Sequence, residues 1–171
     1  KEYFLVTFHR SENVDHLERL ATFLKAFDKL QTIYKKPIII STHPHTQKRI
    51  EASGIRINNS DVLFLEPFGF FDFISLEQHA FCVLSDSGTV QEECTLLDTP
   101  NVTIRDVTER PETLECGMNM LAGADENTML RAVETVLSLG PAARAPAEYL
   151  VNNVAETVVK IVLGHIVFPW H

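Results

Sequence analysis

Apolar runs recur along the chain and alternate with stretches that have helical spacing. The runs are YFLVTF (3–8), PIIIST (37–42), VLFLEP (62–67), FCVLSD (81–86) and NVTIRD (101–106), with a weaker one at NMLAG (119–123). Hydrophobicity that is continuous rather than alternating is typical of strands buried on both faces, as in a parallel sheet. The pattern therefore predicts five such strands and a weaker sixth.

Helical patterns fill the intervals between these runs. Within residues 15–34, five large apolar side chains fall on roughly one helix face: Leu17, Leu20, Leu24, Phe27 and Leu30. Residues 70–80, 88–98, 126–139 and 147–164 have similar spacing, and GPAARAP (140–146) reads as a loop before the last helix. This alternation of strands and helices predicts an α/β domain with a doubly wound, mostly parallel sheet of Rossmann-like type.

Composition and charge narrow the class of protein. A chain of 171 residues, 45% of them hydrophobic, suits one compact domain over residues 1–171. The formal net charge of −8 argues against nucleic acid as a partner, although a local cluster of Arg and His can bind a small anion. Cys82, Cys94 and Cys116 match neither a metal pattern nor a disulfide framework, which fits a reducing cytoplasm.

The two ends of the chain carry further expectations. Because the sequence starts at Lys1 rather than Met, we interpret it as a fragment. The apolar tail VVKIVLGHIVFPWH (158–171) is interrupted by Lys160 and His165 and is shorter than the ~20 residues that cross a bilayer. We therefore expect a packed helix with an apolar end and no membrane partner.

Ligands of doubly wound folds bind beyond the carboxyl ends of the strands. The loops expected there are rich in functional groups, and they read HRSEN (9–13), HPHT (43–46), FGFFDF (68–73), SDSGT (85–89) and RDVTERPE (105–112). These five loops therefore hold the candidate ligand-binding residues.

SDSGT has the features of an anion site. Ser87 or Gly88 would start a helix whose first amides and dipole favour a phosphate. Gly88 permits close approach to the backbone, and the hydroxyls of Ser87 and Thr89 add donors. An ordinary Ser N-cap followed by glutamates would account for the same sequence. For this stretch alone, an anion site and a capped helix therefore both stay open.

Three further side chains could contact such a ligand. Glu93 could accept hydrogen bonds from two ribose hydroxyls, or be a solvated helix residue. His9 could donate to a phosphate or transfer a proton, and Arg10 could pair with a phosphate or carboxylate. The alternative for His9 and Arg10 is a loop that leads into a helix capped by Asn13 or Asp15.

RDVTERPE places five charged residues within eight, with Pro111 fixing the backbone. This density favours a loop that holds an anion and positions its arginine through an acid, with Arg110 as the ligand contact. The phenylalanines of FGFFDF are expected to be mostly core, with one available to a base. HPHT is a weak indication of metal, so no metal is expected, and neither an NAD fingerprint nor a P-loop is present.

Taken together, TFHRSEN (7–13), HPH (43–45), EPFGFFDF (66–73), SDSGTVQEE (85–93) and RDVTERPE (105–112) resemble the non-hydrolysing UDP-N-acetylglucosamine 2-epimerases, in the family's order from residue 3 to about 165. Relatives that hydrolyse the sugar nucleotide lack a clear D-x-T-E-R-P-E. The resemblance implies the C-terminal half of a glycosyltransferase-B-like architecture, without its N-terminal domain.

The resemblance also implies roles for single residues. His9 matches a catalytic histidine near the diphosphate, to which Arg10 is adjacent; Ser87 and Gly88 match a phosphate-binding pair, Glu93 a ribose-binding acid, Arg110 a nucleotide-binding arginine and Phe73 a residue of the uracil pocket. Thr89, which we also expect to touch substrate, replaces the family's usual second glycine. The phosphate contact is expected to shift at that position.

The implied reaction interconverts UDP-GlcNAc and UDP-ManNAc by elimination of UDP and its re-addition, without a cofactor. A homodimer acting in cytoplasmic polysaccharide biosynthesis is the family expectation. The isolated domain should bind UDP weakly and catalyse nothing, because the carboxylates that move the C2 proton belong to the missing domain. A non-catalytic nucleotide-sugar-binding module and a glycosyltransferase-B-type sugar transferase remain alternatives.

Overall fold

A single parallel sheet forms the centre of the protein. The computed structural model describes residues 1–140 and 145–166. The strands are β1 (Phe4–Thr7), β2 (Ile38–Ser41), β3 (Val62–Leu65), β4 (Cys82–Ser85), β5 (Asn101–Thr103) and β6 (Asn119–Leu121). All pairs are parallel, in the order β3-β2-β1-β4-β5-β6. Each strand lies inside one of the six apolar runs, so the α/β prediction is confirmed.

Within the described residues, eight α-helices connect and follow these strands. They are α1 (Ser11–Val14), α2 (Leu17–Tyr34), α3 (Pro44–Ser53), α4 (Phe70–His79), α5 (Gly88–Leu96), α6 (Pro111–Glu115), α7 (Glu126–Leu139) and α8 (Val154–Ile166). None of the helices in the described ranges combines the length and apolar character that a membrane-spanning segment requires.

The sheet is covered by helices on both faces, as in a doubly wound fold. Successive strand side chains point to opposite faces, and the buried residues divide accordingly. Phe4 and Val6 belong to a large core with α2 and α7, whereas Leu5 packs in a smaller cluster with Val90 and Cys94 of α5. Burial on both faces explains why the strand runs are continuously apolar.

Three short or polar helices, α1, α3 and α6, were not predicted from the sequence. Helix α3 begins inside HPHT, where Pro44 occupies the first turn and the ring of His43 accepts from the His45 backbone N–H at 3.2 Å. The expectation that Asn13 or Asp15 caps the next helix is wrong. Arg10 and His16 are the N-caps of α1 and α2, and Asn13 is buried beneath the loop.

The last predicted helix differs in extent and environment. Residues Ala147–Leu150 form a short 3-10 helix, and α8 starts only at Val154. The predicted packing of this helix is wrong as far as Gly164, because no described element covers its side chains and even Ile161 is 66% exposed. Residues 141–144 of the predicted loop and 167–171 of the apolar tail lie outside the described residues.

Candidate functional site

The loops after β1, β4 and β5 meet at one edge of the sheet. From β1 the chain continues to β2 on one side, whereas from β4 it continues to β5 on the other. The strand order therefore reverses between β1 and β4, and ligands of such sheets bind at this switch point. The three loops bring His9, Ser87 and Arg110 to the same edge.

Asp86 joins two of these loops. Its fully buried carboxylate accepts hydrogen bonds from the backbone N–H groups of His9 and Arg10, with Oδ2 at 3.1 and 2.9 Å. It also accepts from Nδ2 of Asn13 at 2.9 Å. Because a buried carboxylate needs such donors, Asp86 holds the loop after β1 against the loop after β4.

His9 and Arg10 both lie at this edge, as predicted, but their surroundings differ. The His9 side chain is 48% exposed, with Nδ1 3.4 Å from Oδ1 of Asp86. Arg10 donates from Nε to the Asp86 carbonyl oxygen at 2.9 Å, and its Nη2 lies 3.9 Å from Glu109. His9 is thus the more available of the two, while Arg10 links the two loops.

The start of α5 is open to an anion. Ser87 is the N-cap, but its side chain makes no capping hydrogen bond, and the first turn contains no acidic residue. The Ser87 N–H donates to Oγ of Ser85 at 3.0 Å. The leading N–H groups of a helix have no intrahelical acceptors. Since neither a cap nor a carboxylate occupies this helix end, its positive dipole favours an anion.

Arg110 stands beside that helix end. A Cβ placed on Gly88 would lie 3.8 Å from Cζ of Arg110. Glu92, further along α5, accepts a hydrogen bond from Nε of Arg110. This pairing raises the pKa of Arg110 through the hydrogen bond to Glu92 and its negative charge. The guanidinium is therefore charged and held where it adds to the field of the helix.

A buried polar network fixes the backbone around Arg110. Oε1 of Gln91 accepts from the Thr108 hydroxyl at 2.7 Å, and Oγ1 of Thr108 accepts from the Arg110 N–H at 3.0 Å. The Thr113 hydroxyl donates to the Arg110 carbonyl oxygen at 2.8 Å. These bonds attach the loop after β5 to α5, so the position of Arg110 does not depend on Glu92 alone.

Arg105 has a structural role in the same loop. Its side chain is 4% exposed and donates to both carboxylate oxygens of Glu109, at 2.6 and 2.9 Å. The hydrogen bonds from Arg105 lower the pKa of Glu109 to about 2. The predicted pairing of an arginine with an acid of this loop thus occurs at Arg105, whereas Arg110 is paired with an acid of α5.

The remaining predicted residues lie on α4 and α5. Glu93 is partly buried next to Glu77 of α4, Thr89 is exposed in the first turn of α5, and Phe73 packs partly buried against the smaller apolar cluster. The expectation that the phenylalanines of FGFFDF are mostly core is wrong, because Phe68 and Phe73 are only partly buried and the other two are exposed. Phe70 and Phe71 are 66% and 85% exposed because they occupy the solvent side at the start of α4.

The charged groups of this edge suit an anion better than a cation. Within residues 1–140 and 145–166, no three His, Cys, Asp or Glu side chains converge as a metal site requires. The helix start, Arg110 and His9 instead present donors and positive charge together. Such a preorganised set stabilises negative charge on a bound group.

Sequence reasoning missed four residues that shape the site: Asp86, Asn13, Gln91 and Glu77. Asp86 carried a signal, because an aspartate that ends a buried strand needs nearby donors. Gln91 and Glu77 gave none, since a polar residue on a helix is ordinarily exposed. Their burial arises from contacts between distant segments.

The fold and this edge define a Rossmann-like domain whose switch point presents hydrogen-bond donors and an arginine side chain. The family profile described as UDP-N-acetylglucosamine 2-epimerase matches residues 1–163. The UDP-N-acetylglucosamine 2-epimerase of Methanocaldococcus jannaschii is 43% identical over 140 residues, 80% of this chain and 38% of the relative. That of Methanococcus maripaludis is 37% identical over 167 residues, 96% of this chain and 45% of the relative.

Solved structures give the same result. The crystal structure of the M. jannaschii enzyme in complex with UDP-GlcNAc and UDP matches with a TM-score of 0.88 and 39% identity, covering 94% of this chain and 45% of that one. An Escherichia coli heptosyltransferase matches with a TM-score of 0.58 and 16% identity. The match covers 82% of this chain and 46% of the heptosyltransferase chain, and it shows a shared fold alone. This chain belongs to the UDP-N-acetylglucosamine 2-epimerase family. It spans less than half the length of these relatives.

Proposed function

We propose that this chain is the UDP-binding half of a UDP-N-acetylglucosamine 2-epimerase that interconverts UDP-GlcNAc and UDP-ManNAc. The observation that carries the proposal is the position of Arg110 beside Gly88, at a helix start without a cap or an acid. A diphosphate placed there would accept hydrogen bonds from the leading amides of α5 and from the guanidinium. Ser87, Gly88, Thr89 and Arg110 form this proposed diphosphate seat.

The nucleoside would extend from the seat along α5. Glu93 lies further along the helix and would accept from the ribose hydroxyls, as an acid does in dinucleotide-binding folds. Phe73 of α4 is partly exposed next to α5, where its ring would line the uracil site. On α5 itself, Glu93 follows the seat at Gly88, as the ribose follows the diphosphate in UDP.

In the proposed reaction, the C2 proton is removed and the C1–O bond to UDP breaks, giving a 2-acetamidoglucal. UDP then adds back at C1 as a proton is returned to the opposite face of C2. This chain would stabilise the charge of the departing diphosphate by preorganised donors. Asp86 lies near Nδ1 of His9, which leaves Nε2 to face the reacting group, and Arg10 secures the loop.

The groups that move the C2 proton are expected in the part of the relatives that this chain does not span. We therefore expect the 171-residue chain to bind UDP without catalysing epimerisation. In the complete protein, the reaction would serve cytoplasmic polysaccharide biosynthesis, with a homodimer as the expected assembly. The unpaired cysteines of the described residues agree with a reducing compartment.

Calorimetry with UDP tests the proposed site. We expect saturable binding at millimolar concentration or below. Arg110→Ala and Glu93→Ala should each weaken it about tenfold, the value of a lost charge-assisted hydrogen bond. Arg131→Ala is the matched control, because this exposed arginine lies on α7, across the sheet from α5. Absence of binding by the unaltered chain would refute the site.

The full-length protein tests the activity. Proton NMR of UDP-GlcNAc incubated with it should show UDP-ManNAc signals. Binding without epimerisation would favour a nucleotide-sugar-binding module. Transfer of the sugar to an acceptor would favour a transferase. The similarity to a heptosyltransferase supports only the shared fold and not that activity.

A further inference from the structure

Glu77 is a buried acid that nothing in the proposed reaction uses. It lies in the last turns of α4 and has no exposed surface. Within the described part of the chain, neither Oε1 nor Oε2 accepts a hydrogen bond. An ionised carboxylate in this position would be a buried anion without a donor, which is strongly disfavoured.

Helix α4 packs on α5, which places Glu77 next to Glu93, itself partly buried. Burial, followed by the negative charge of Glu93, raises the pKa of Glu77 to about 8. Burial also raises the pKa of Glu93 above its ordinary value. One proton held by Glu77 and directed at Glu93 satisfies both groups, as in other close carboxyl pairs.

The other titratable groups around this pair do not change its charge pattern. Glu92 adds negative charge near Glu93. The thiols of Cys82 and Cys94 are buried, which raises the pKa of each, so both are neutral. The Tyr3 hydroxyl donates to the Leu76 carbonyl oxygen at 2.8 Å, and His79 of α4 is bonded to its own helix through the Ser75 carbonyl oxygen.

We propose that Glu77 is a positioning residue for Glu93: its protonated carboxyl donates a hydrogen bond to the Glu93 carboxylate and thereby fixes the oxygens that accept from the ribose. This inference rests on the proposed function, because it takes Glu93 as the ribose acceptor. It adds a dependence on pH. Loss of the Glu77 proton removes the donor and places two anions side by side, so ribose binding should fail.

UDP affinity measured by calorimetry between about pH 7 and pH 9 tests the proposal. The affinity of the unaltered chain should fall about tenfold over this range, because a group of pKa about 8 is roughly nine-tenths ionised one unit higher. With 2′,3′-dideoxy-UDP the fall should be absent. This ligand has the same base and phosphates but lacks both hydroxyls, so it separates titration of the nucleotide from titration of the pair.

Two variants separate positioning from packing. Glu77→Gln keeps a donor that does not titrate, so it should bind UDP within about twofold of the unaltered chain near pH 7 and show no alkaline fall. Glu77→Met keeps the volume without the donor and should bind about tenfold more weakly. An alkaline fall retained in Glu77→Gln, or full affinity in Glu77→Met, would overturn the proposal.

A ligand-free measurement distinguishes the failure of this inference from failure of the proposed function. In carbon-13 NMR of the labelled carboxyls, Glu77 should titrate near pH 8, and Glu93→Gln should lower that midpoint. Absence of UDP binding would overturn the proposed function together with the positioning role. Titration of Glu77 at its ordinary pKa, with UDP binding intact, would overturn this inference alone.

Discussion

Substitution of Asp86 tests whether the two loops at the switch point depend on one carboxylate. Asp86 is fully buried and accepts from His9, Arg10 and Asn13. A hydrogen bond to a charged acceptor contributes about 1.5–3 kcal/mol. The contributions of these three hydrogen bonds do not add in full, because the amides of His9 and Arg10 can bind water when the carboxylate is lost. For Asp86→Ala we therefore expect the free energy of unfolding to fall by about 3–5 kcal/mol.

Urea unfolding followed by circular dichroism at neutral pH measures this change. Asp106→Asn is the matched control, because Asp106 follows the next strand but is 64% exposed in its ion pair with Arg19. A surface pair of this kind contributes about 0–1 kcal/mol. Amide hydrogen exchange of His9 and Arg10 should also accelerate in Asp86→Ala. Equal stability losses in the two variants would refute the anchoring role.

Three further predictions concern other parts of the structure. Gly88→Ala should weaken UDP binding about tenfold, because the new methyl group fills the proposed phosphate seat. The free energy of unfolding should change by less than about 1 kcal/mol, because the methyl makes only ordinary contact with Arg110. Equal affinity of the variant and the unaltered chain in calorimetry would contradict this. The folded state retains the Glu77 proton up to about pH 8, whereas the unfolded chain loses it near 4.5. Stability should therefore decline as pH rises between these values, by at most about 5 kcal/mol. Urea titrations should show a shallower decline in Glu77→Gln. Cys116 is the one described cysteine that is not fully buried, so a thiol reagent should modify one cysteine in the native protein and three after unfolding.

The strands could be predicted because the physical cause of their burial is local. A strand covered on both faces needs apolar residues at successive positions, and such a run can be recognised in the sequence. Helix α3 has only scattered apolar residues, of which Ile50 packs partly buried against the core. Its sequence PHTQKRIEAS therefore shows little helical periodicity, and HPHT alone predicts a loop.

The position of the candidate loops could be predicted from the sequence, but the contacts that join them could not. The loops that contain His9, Ser87 and Arg110 could be placed at one sheet edge from the order of the elements alone. The contacts that fix them join residues far apart in sequence, such as Asp86 with Asn13, and depend on how loops and helices pack. The exposure of Phe71 could not be predicted either, because an aromatic-rich segment suggests core residues whichever side of the helix they occupy.

The most direct test of the account is a nitrogen-15 NMR titration of the 171-residue chain with UDP. With the diphosphate at the start of α5, the largest amide shifts should appear at Ser87, Gly88 and Thr89, with smaller ones at His9 and around Arg110. Amides of α7 should remain unchanged. Largest shifts outside the loops after β1, β4 and β5, or no shifts at millimolar UDP, would contradict the central claim.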